Sequence, residues 1–167
     1  IIAETGNIET LRAWDIDVDG TKEIVPNTPN SPLKIYRLVR DENGKGTAQF
    51  EYFEVYGKHG HGLGFGDLNG DGRGDFIVEE GWLEAPENPF NGKWIFHQEF
   101  KLGKASVPII VTDVNKDGLS DFIVGQGHDY GLNWYEQKKI GEESKADWIK
   151  HSIDSKNSQF HTMEWTD

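Results

Sequence analysis

One nine-residue pattern, Asp-x-Asp/Asn-x-Asp-Gly-x-x-Asp/Glu, occurs three times in this 167-residue chain: DIDVDGTKE at 15–23, DLNGDGRGD at 67–75 and DVNKDGLSD at 113–121. HTMEW precedes Asp167 much as HGLGF precedes Asp67, so a fourth copy is expected to begin at 167. The first aspartates are 52, 46 and 54 residues apart. Recurrence at a fixed period means that each repeat is one small unit which buries its apolar faces against its neighbours.

The residues between the loops read as four short strands per unit. Strand A ends at the acidic loop (GLGFGD, PIIVTD), and strand B follows it at once (DFIVEE, DFIVGQ). Strand C carries an aromatic (LKIYRLV, GWLE, LNWYEQ), and strand D reads QFEYFEV, KWIFHQEF or DWIKHSI. Asn-Gly pairs at 43–44 and 91–92 mark the way from C to D. No segment has helical periodicity. The expectation is an all-β chain, 1–167, of about three β-propeller blades, each of four antiparallel strands. Three blades do not close a ring, so the chain is expected to be a fragment of a larger propeller, whose remaining blades are its first partner.

Counting back six residues from each first loop aspartate gives Glu9, His61, Val107 and His161, and ten more gives Glu51, His97 and His151. This count implies a D-to-A segment of constant length.

Each part of the loop has a chemical reason. Oxygens at positions 1, 3 and 5 converge when the chain coils tightly, Gly at 6 permits the turn, and a carbonyl at 7 with a carboxylate at 9 completes an oxygen shell suited to Ca2+. The expected ligands are Asp15, Asp17, Asp19, Glu23 and the Thr21 carbonyl; Asp67, Asn69, Asp71, Asp75 and the Arg73 carbonyl; and Asp113, Asn115, Asp117, Asp121 and the Leu119 carbonyl. Three Ca2+ ions would halve the formal charge of −12. With no flanking helix, and Val78 and Val124 at position 12, the loop is not an EF-hand. Arg73–Asp75 spells RGD, but Asp75 belongs to the loop, so integrin recognition is not expected. The acidic balance argues against nucleic acid as a partner, and no apolar run is long enough to insert in a membrane. The absence of cysteine rules out thiolate ligation.

DIDVDGTKEIV, DLNGDGRGDFIV and DVNKDGLSDFIV resemble the FG-GAP, or VCBS, repeat of integrin-α-type propellers, over essentially the whole chain. That resemblance implies a propeller of about seven blades with structural Ca2+ sites on one face, and a secreted, periplasmic or cell-surface location. Glu23 at position 9 and Asn at position 3 of two copies are small departures from the pattern.

The start of strand A and the B–C loop are expected at the end opposite calcium. His61, His161 and Glu9 hold the first of these places and His128 lies in the second, a set that suits Zn2+ with an open coordination position. The same residues also suit hydrogen-bonded rim positions. His97 and His151, at matched strand-D positions, read as inter-blade packing or edge polarity, and His59 reads as a loop residue. Trp82, Tyr130, Trp134 and Tyr135 suit either sugar stacking or blade packing.

The stretch WIKHSIDSKNSQFHTMEWTD, together with HGLGFGDLNGDG, is similar to the propeller domain of aldos-2-ulose dehydratases, which implies a His-bound zinc assisting water elimination from a keto-sugar. Two functions follow. One is a calcium-binding module presenting a surface to carbohydrate or to an extracellular protein; the other is a zinc-assisted sugar lyase with His61, His128, His161 and Glu9 at its mouth.

Overall fold

The computed structural model describes residues 5–139 and 146–166, so the expected fourth loop at Asp167 lies outside the described residues. Twelve strands form three four-stranded antiparallel sheets, each consecutive in sequence. The first sheet holds β1 (Thr10–Trp14), β2 (Glu23–Asn27), β3 (Leu33–Arg40) and β4 (Gly46–Tyr56). The second holds β5 (Leu63–Gly66), β6 (Asp75–Val78), β7 (Gly81–Glu84) and β8 (Ile95–His97). The third holds β9 (Ile110–Thr112), β10 (Asp121–Gly125), β11 (Tyr130–Lys139) and β12 (Ala146–Ser158). Among the described residues there is no helix, hence none long and apolar enough to cross a membrane. The all-β expectation holds, and the sheets are blade-like in order and size.

The chemistry of β6 explains its place. Its four residues, DFIV, show no polar alternation, and all four are buried because both faces of the strand are covered. Phe76 and Val78 face a core shared with Val25, Leu33 and Ile35 of the first sheet. Ile77 faces the other way, with Trp82, into a core shared with Ile109, Phe122 and Val124 of the third. The second core is aromatic: Phe122 stacks on Tyr135 at 4.8 Å and 11°, with Phe100 and Trp148 tilted against it. Such pairs contribute about 0.5–1.5 kcal/mol each beyond area burial.

Adjacent sheets meet through their first strands. Gly64 forms a parallel bridge with Ile109, whose N–H donates to the Leu63 carbonyl at 2.9 Å. Gly62, Gly64 and Gly66 share the face that meets the third sheet, and a Cβ on Gly64 would lie 2.7 Å from the Ile109 carbonyl oxygen. The glycines of HGLGFG are thus the condition for close approach of two backbones.

Three expectations change. Pairing places Ile35, Trp82 and Trp134 at equivalent positions, opposite Phe53, His97 and His151, so the counterpart of the histidines is Phe53 and not Glu51. The D-to-A segment is therefore two residues shorter in the first unit. A slip of two preserves the alternation of faces, so a sequence count does not register it. Asn43-Gly44 does close a tight hairpin, Gly44 N–H donating to the Asp41 carbonyl at 2.9 Å, whereas Asn91-Gly92 sits inside a longer connection between β7 and β8. Pro26, which has no N–H, limits β2–β3 pairing to Ile24 with Tyr36.

Candidate metal centres at the two ends of the inner strands

The acidic loops follow β1, β5 and β9, and their backbone repeats closely. Gly20, Gly72 and Gly118, at position 6, all have φ +87°. Position 4 is also left-handed in every copy, at Val18, Gly70 and Lys116, although only one of these is glycine. The position-9 carboxylate always accepts the N–H of position 2: Glu23 from Ile16 at 3.0 Å, Asp75 from Leu68 at 3.0 Å and Asp121 from Val114 at 3.1 Å. Asp75 and Asp121 give their other oxygen to the N–H of Ala85 and of Gln137, both at 2.9 Å, so each ties its loop to the third strand of its sheet. Asp75 is fully buried, and desolvation pushes its carboxyl up to about 6, which also withdraws the RGD tripeptide from recognition.

The loops differ in what they leave unpaired. Ligand atoms of Asp15, Asp17 and Asp19 lie within 4.8 Å of one another and can hold a metal ion. Asp15 Oδ1, Asp17 Oδ1 and Glu23 Oε1 are buried with no hydrogen-bond partner, and Glu23 is 1% exposed. Burial first, then the backbone N–H of Ile16 acting in the opposite sense and the three aspartates, set the Glu23 carboxyl, whose net shift is upward. Converging acceptors without donors suit a cation, so these residues fit Ca2+ on their own chemistry.

At the other end of the same strands, just before β1 and β5, stand Glu9 and His61, and His128 comes from the β10–β11 connection. Their ligand atoms also lie within 4.8 Å of one another. His61 Nε2 is 2.7 Å from Glu9 Oε2 and 3.1 Å from His128 Nε2. His61 Nδ1 contacts the Ala105 carbonyl at 3.2 Å, and because a carbonyl only accepts, that nitrogen carries the hydrogen. In neutral His61, Nε2 then presents a lone pair to a carboxylate and to a second imidazole. Only a proton or a metal ion reconciles three such donors, and a ring N–H fixed on a backbone carbonyl is the usual outer support of a metal-bound histidine.

His161 stands beside this group. Its ring lies 5.2 Å from that of His128, and its Nε2 is 2.9 Å from Gln159 Oε1. Glycine at 127 leaves it room, since a Cβ there would come 3.3 Å from the ring. Glu9, His61, Ser106, Val107 and His161 border a cavity of about 320 Å3. Glu9, His61 and His128 therefore converge, while His161 borders the same cavity without joining the three whose ligand atoms meet. Donors 2.0–2.1 Å from a tetrahedral ion stand about 3.4 Å apart, so the 3.1 Å contact opens by about 0.3 Å and the 2.7 Å contact by about 0.7 Å to admit one.

The remaining candidates divide. His97 stacks on Trp82 at 4.2 Å and His151 on Trp134 at 4.4 Å, each with Nε2 2.8 Å from a glutamate, Glu84 or Glu136. They pack across strands within their own sheets, and not between sheets as expected. Tyr135 is a core residue and no part of the mouth, whereas Tyr130 is 67% exposed beside His128. His59 lies in a loop but is buried, 4% exposed, with neither ring nitrogen partnered; burial lowers its pKa.

Sequence reasoning missed Arg12, whose Nη2 crosses from β1 to donate to the Val107 carbonyl at 3.1 Å, and Gln159, which orients His161. Neither recurs between repeats, so no pattern marked them. Comparison with family models, with curated proteins and with solved structures found no match for this chain.

Proposed function

We propose that the chain is part of a calcium-stabilised β-propeller of FG-GAP/VCBS type whose axial mouth holds a Zn2+ ion and eliminates water from a keto-sugar. The observation that carries the catalytic reading is the convergence of Glu9 Oε2 and His128 Nε2 on the lone-pair nitrogen of His61. Zinc held there supplies Lewis-acid polarisation of a carbonyl. The chain's own residues do the rest. Nε2 of His161 donates to Gln159, leaving Nδ1 as the base that takes the proton next to the carbonyl. The electron pair of that C–H bond forms a C=C bond as the neighbouring C–O bond breaks, and the proton taken by His161 passes to the departing hydroxyl, which leaves as water. The exposed ring of Tyr130 offers the sugar a stacking surface at the same end.

The propeller reading draws on the third sheet. Trp82 and Ile77 of the second sheet are buried against the third, while their equivalents Trp134 and Ile123 are only partly buried among the described residues, with Ile149 at 41% and Ile153 at 54% exposure nearby. A further blade of the same kind fits that face. Oxygen-rich loops of this type suit the calcium concentrations outside the cytosol, which supports a secreted, periplasmic or cell-surface setting.

Elemental analysis after calcium exchange tests the enzyme reading. One zinc per chain is expected, lost in His61→Ala/His161→Ala; no zinc, or zinc indifferent to both substitutions, ends it. In that event, carbohydrate binding abolished by Tyr130→Ala would favour the second reading, a binding surface for carbohydrate or an extracellular protein. Calcium is tested by EGTA. An ion present at 100 times its dissociation constant adds about 2.7 kcal/mol, so chelation should lower the melting temperature by about 5–10 °C. An unchanged melting curve ends the calcium reading.

A further inference from the structure

We infer that the three acidic loops are not equivalent, and that the first is the one tight divalent-cation site while the second and third carry internal substitutes for the ion. The inference rests on the calcium reading of the loops and departs from the equal occupancy that their shared pattern suggests.

Position 3 makes the first difference. In the second loop Asn69 Nδ2 donates to Asp71 Oδ2 at 3.0 Å, and in the third Asn115 Nδ2 donates to Asp117 Oδ2 at 3.0 Å. An amide at position 3 therefore supplies a donor to the position-5 carboxylate. Asp17 stands there in the first loop and has none to give.

Cationic side chains make the second. The Arg73 guanidinium pairs with Asp71 and also donates from Nε to the Ala85 carbonyl at 3.1 Å, which holds it in place. Lys138 reaches Asp117 at 3.8 Å, and it pairs with Glu136, which itself accepts from Asn115 Nδ2 at 2.9 Å. No ion pair reaches Asp15, Asp17, Asp19 or Glu23 among the described residues.

The position-9 carboxylate makes the third. Both oxygens of Asp75 and of Asp121 accept a backbone N–H, whereas Glu23, 1% exposed, leaves Oε1 without a partner among the aspartates of its loop. A nearly fully buried carboxylate oxygen with no donor is costly unless a cation meets it. That cost is absent from the other two loops. Calcium affinity in such loops rises with the number of charged ligands, and here the first loop has four carboxylates that make no ion pair among the described residues, Arg37 and Arg40 acting on Asp19 only from a greater distance.

The test is calcium titration of the whole chain by calorimetry and equilibrium dialysis, with terbium luminescence as an independent readout. One ion should bind at least about tenfold more tightly than any other. Asp17→Asn, which gives the first loop the amide of the other two, should abolish that tight class. Asn69→Asp combined with Arg73→Ala should create a second tight class, a gain that a misfolded variant does not mimic. Three sites of equal affinity, or a tight class that survives Asp17→Asn, overturns the inference and leaves the calcium reading standing. Absence of any calcium binding overturns both.

Discussion

Glu9 Oε2 stands 2.7 Å from His61 Nε2, and the residues that carry these atoms stand just before the first strands of two different sheets. The contact therefore reports on how the sheets are set together as well as on chemistry. His61 reaches the third sheet's approach segment through Ala105, and Arg12 reaches it through Val107, so the mouth is built where three units converge. A site assembled in this way is lost if any one unit shifts.

Glu9→Gln separates a metal site from an ordinary ion pair. The amide keeps the shape and supplies an N–H to the His61 lone pair, so the metal-free protein should melt at the same temperature or higher. Zinc affinity, read by competition with a chromophoric chelator, should fall by at least the ~10–100-fold that loss of an outer partner costs a metal site. Unchanged zinc affinity with a lower metal-free melting temperature would identify an imidazolium–carboxylate pair instead.

The acidic loops and the strands beside them were legible in the sequence because each residue's role there is local. Gly20, Gly72 and Gly118 share one φ of +87°, and the spacing alone shows why. The mouth was legible for a different reason: strand direction sends the residue before strand A away from the loop after it, so Glu9, His61 and His161 had to share an end. What could not be read was anything that alternation leaves ambiguous. A two-residue slip hid Phe53 as the counterpart of His97, and the same alternation placed Tyr135 one step from Trp134 without saying which of the two faced the core. Arg12 and Gln159 act across sheets, and that kind of contact leaves no periodic trace.

Val18 is a β-branched residue at φ +59°, 69% exposed, in the first acidic loop. Its counterpart Gly70 adopts the same left-handed backbone without a side chain. Val18→Asn should stabilise the fold by about 1 kcal/mol, because asparagine tolerates this region and the exposed valine has little packing to lose. Urea denaturation at saturating calcium measures it, and a loss of stability would mean that Val18 makes a contact in the folded protein that its exposure does not suggest.

Gly64 and Gly57 offer a matched pair. A Cβ at Gly64 would meet the Ile109 carbonyl oxygen at 2.7 Å and Ile109 Cβ at 2.8 Å, while nothing lies within 4 Å of one at Gly57. Gly64→Ala should push β5 from β9 and cost about 1–3 kcal/mol, as overpacking does. Gly57→Ala should be neutral or slightly stabilising, since it narrows only the unfolded ensemble. Equal effects from the two in chemical denaturation would contradict the close approach of the inner strands.

Tyr135 sets the alkaline limit of the third sheet. Its ring is 8% exposed against Phe122 and Phe100, and desolvation raises its pKa above the usual phenol value of about 10. The folded state thus holds this proton more tightly than the unfolded chain does. The resulting stability is fully present below the unfolded pKa, declines as pH rises past about 10, and is gone once pH exceeds the raised folded value. Tyr135→Phe keeps the stacked ring and removes the titration, so its unfolding free energy should decline less than wild type between pH 9 and pH 11, on the scale of ordinary phenol ionisation. Urea melts followed by tryptophan fluorescence across that range, with Tyr130→Phe as the exposed control, give the comparison. If the two substitutions flatten the profile equally, the Tyr135 hydroxyl is solvated in the folded protein, and the aromatic core of the third sheet is more open than the stacking of Tyr135 on Phe122 implies.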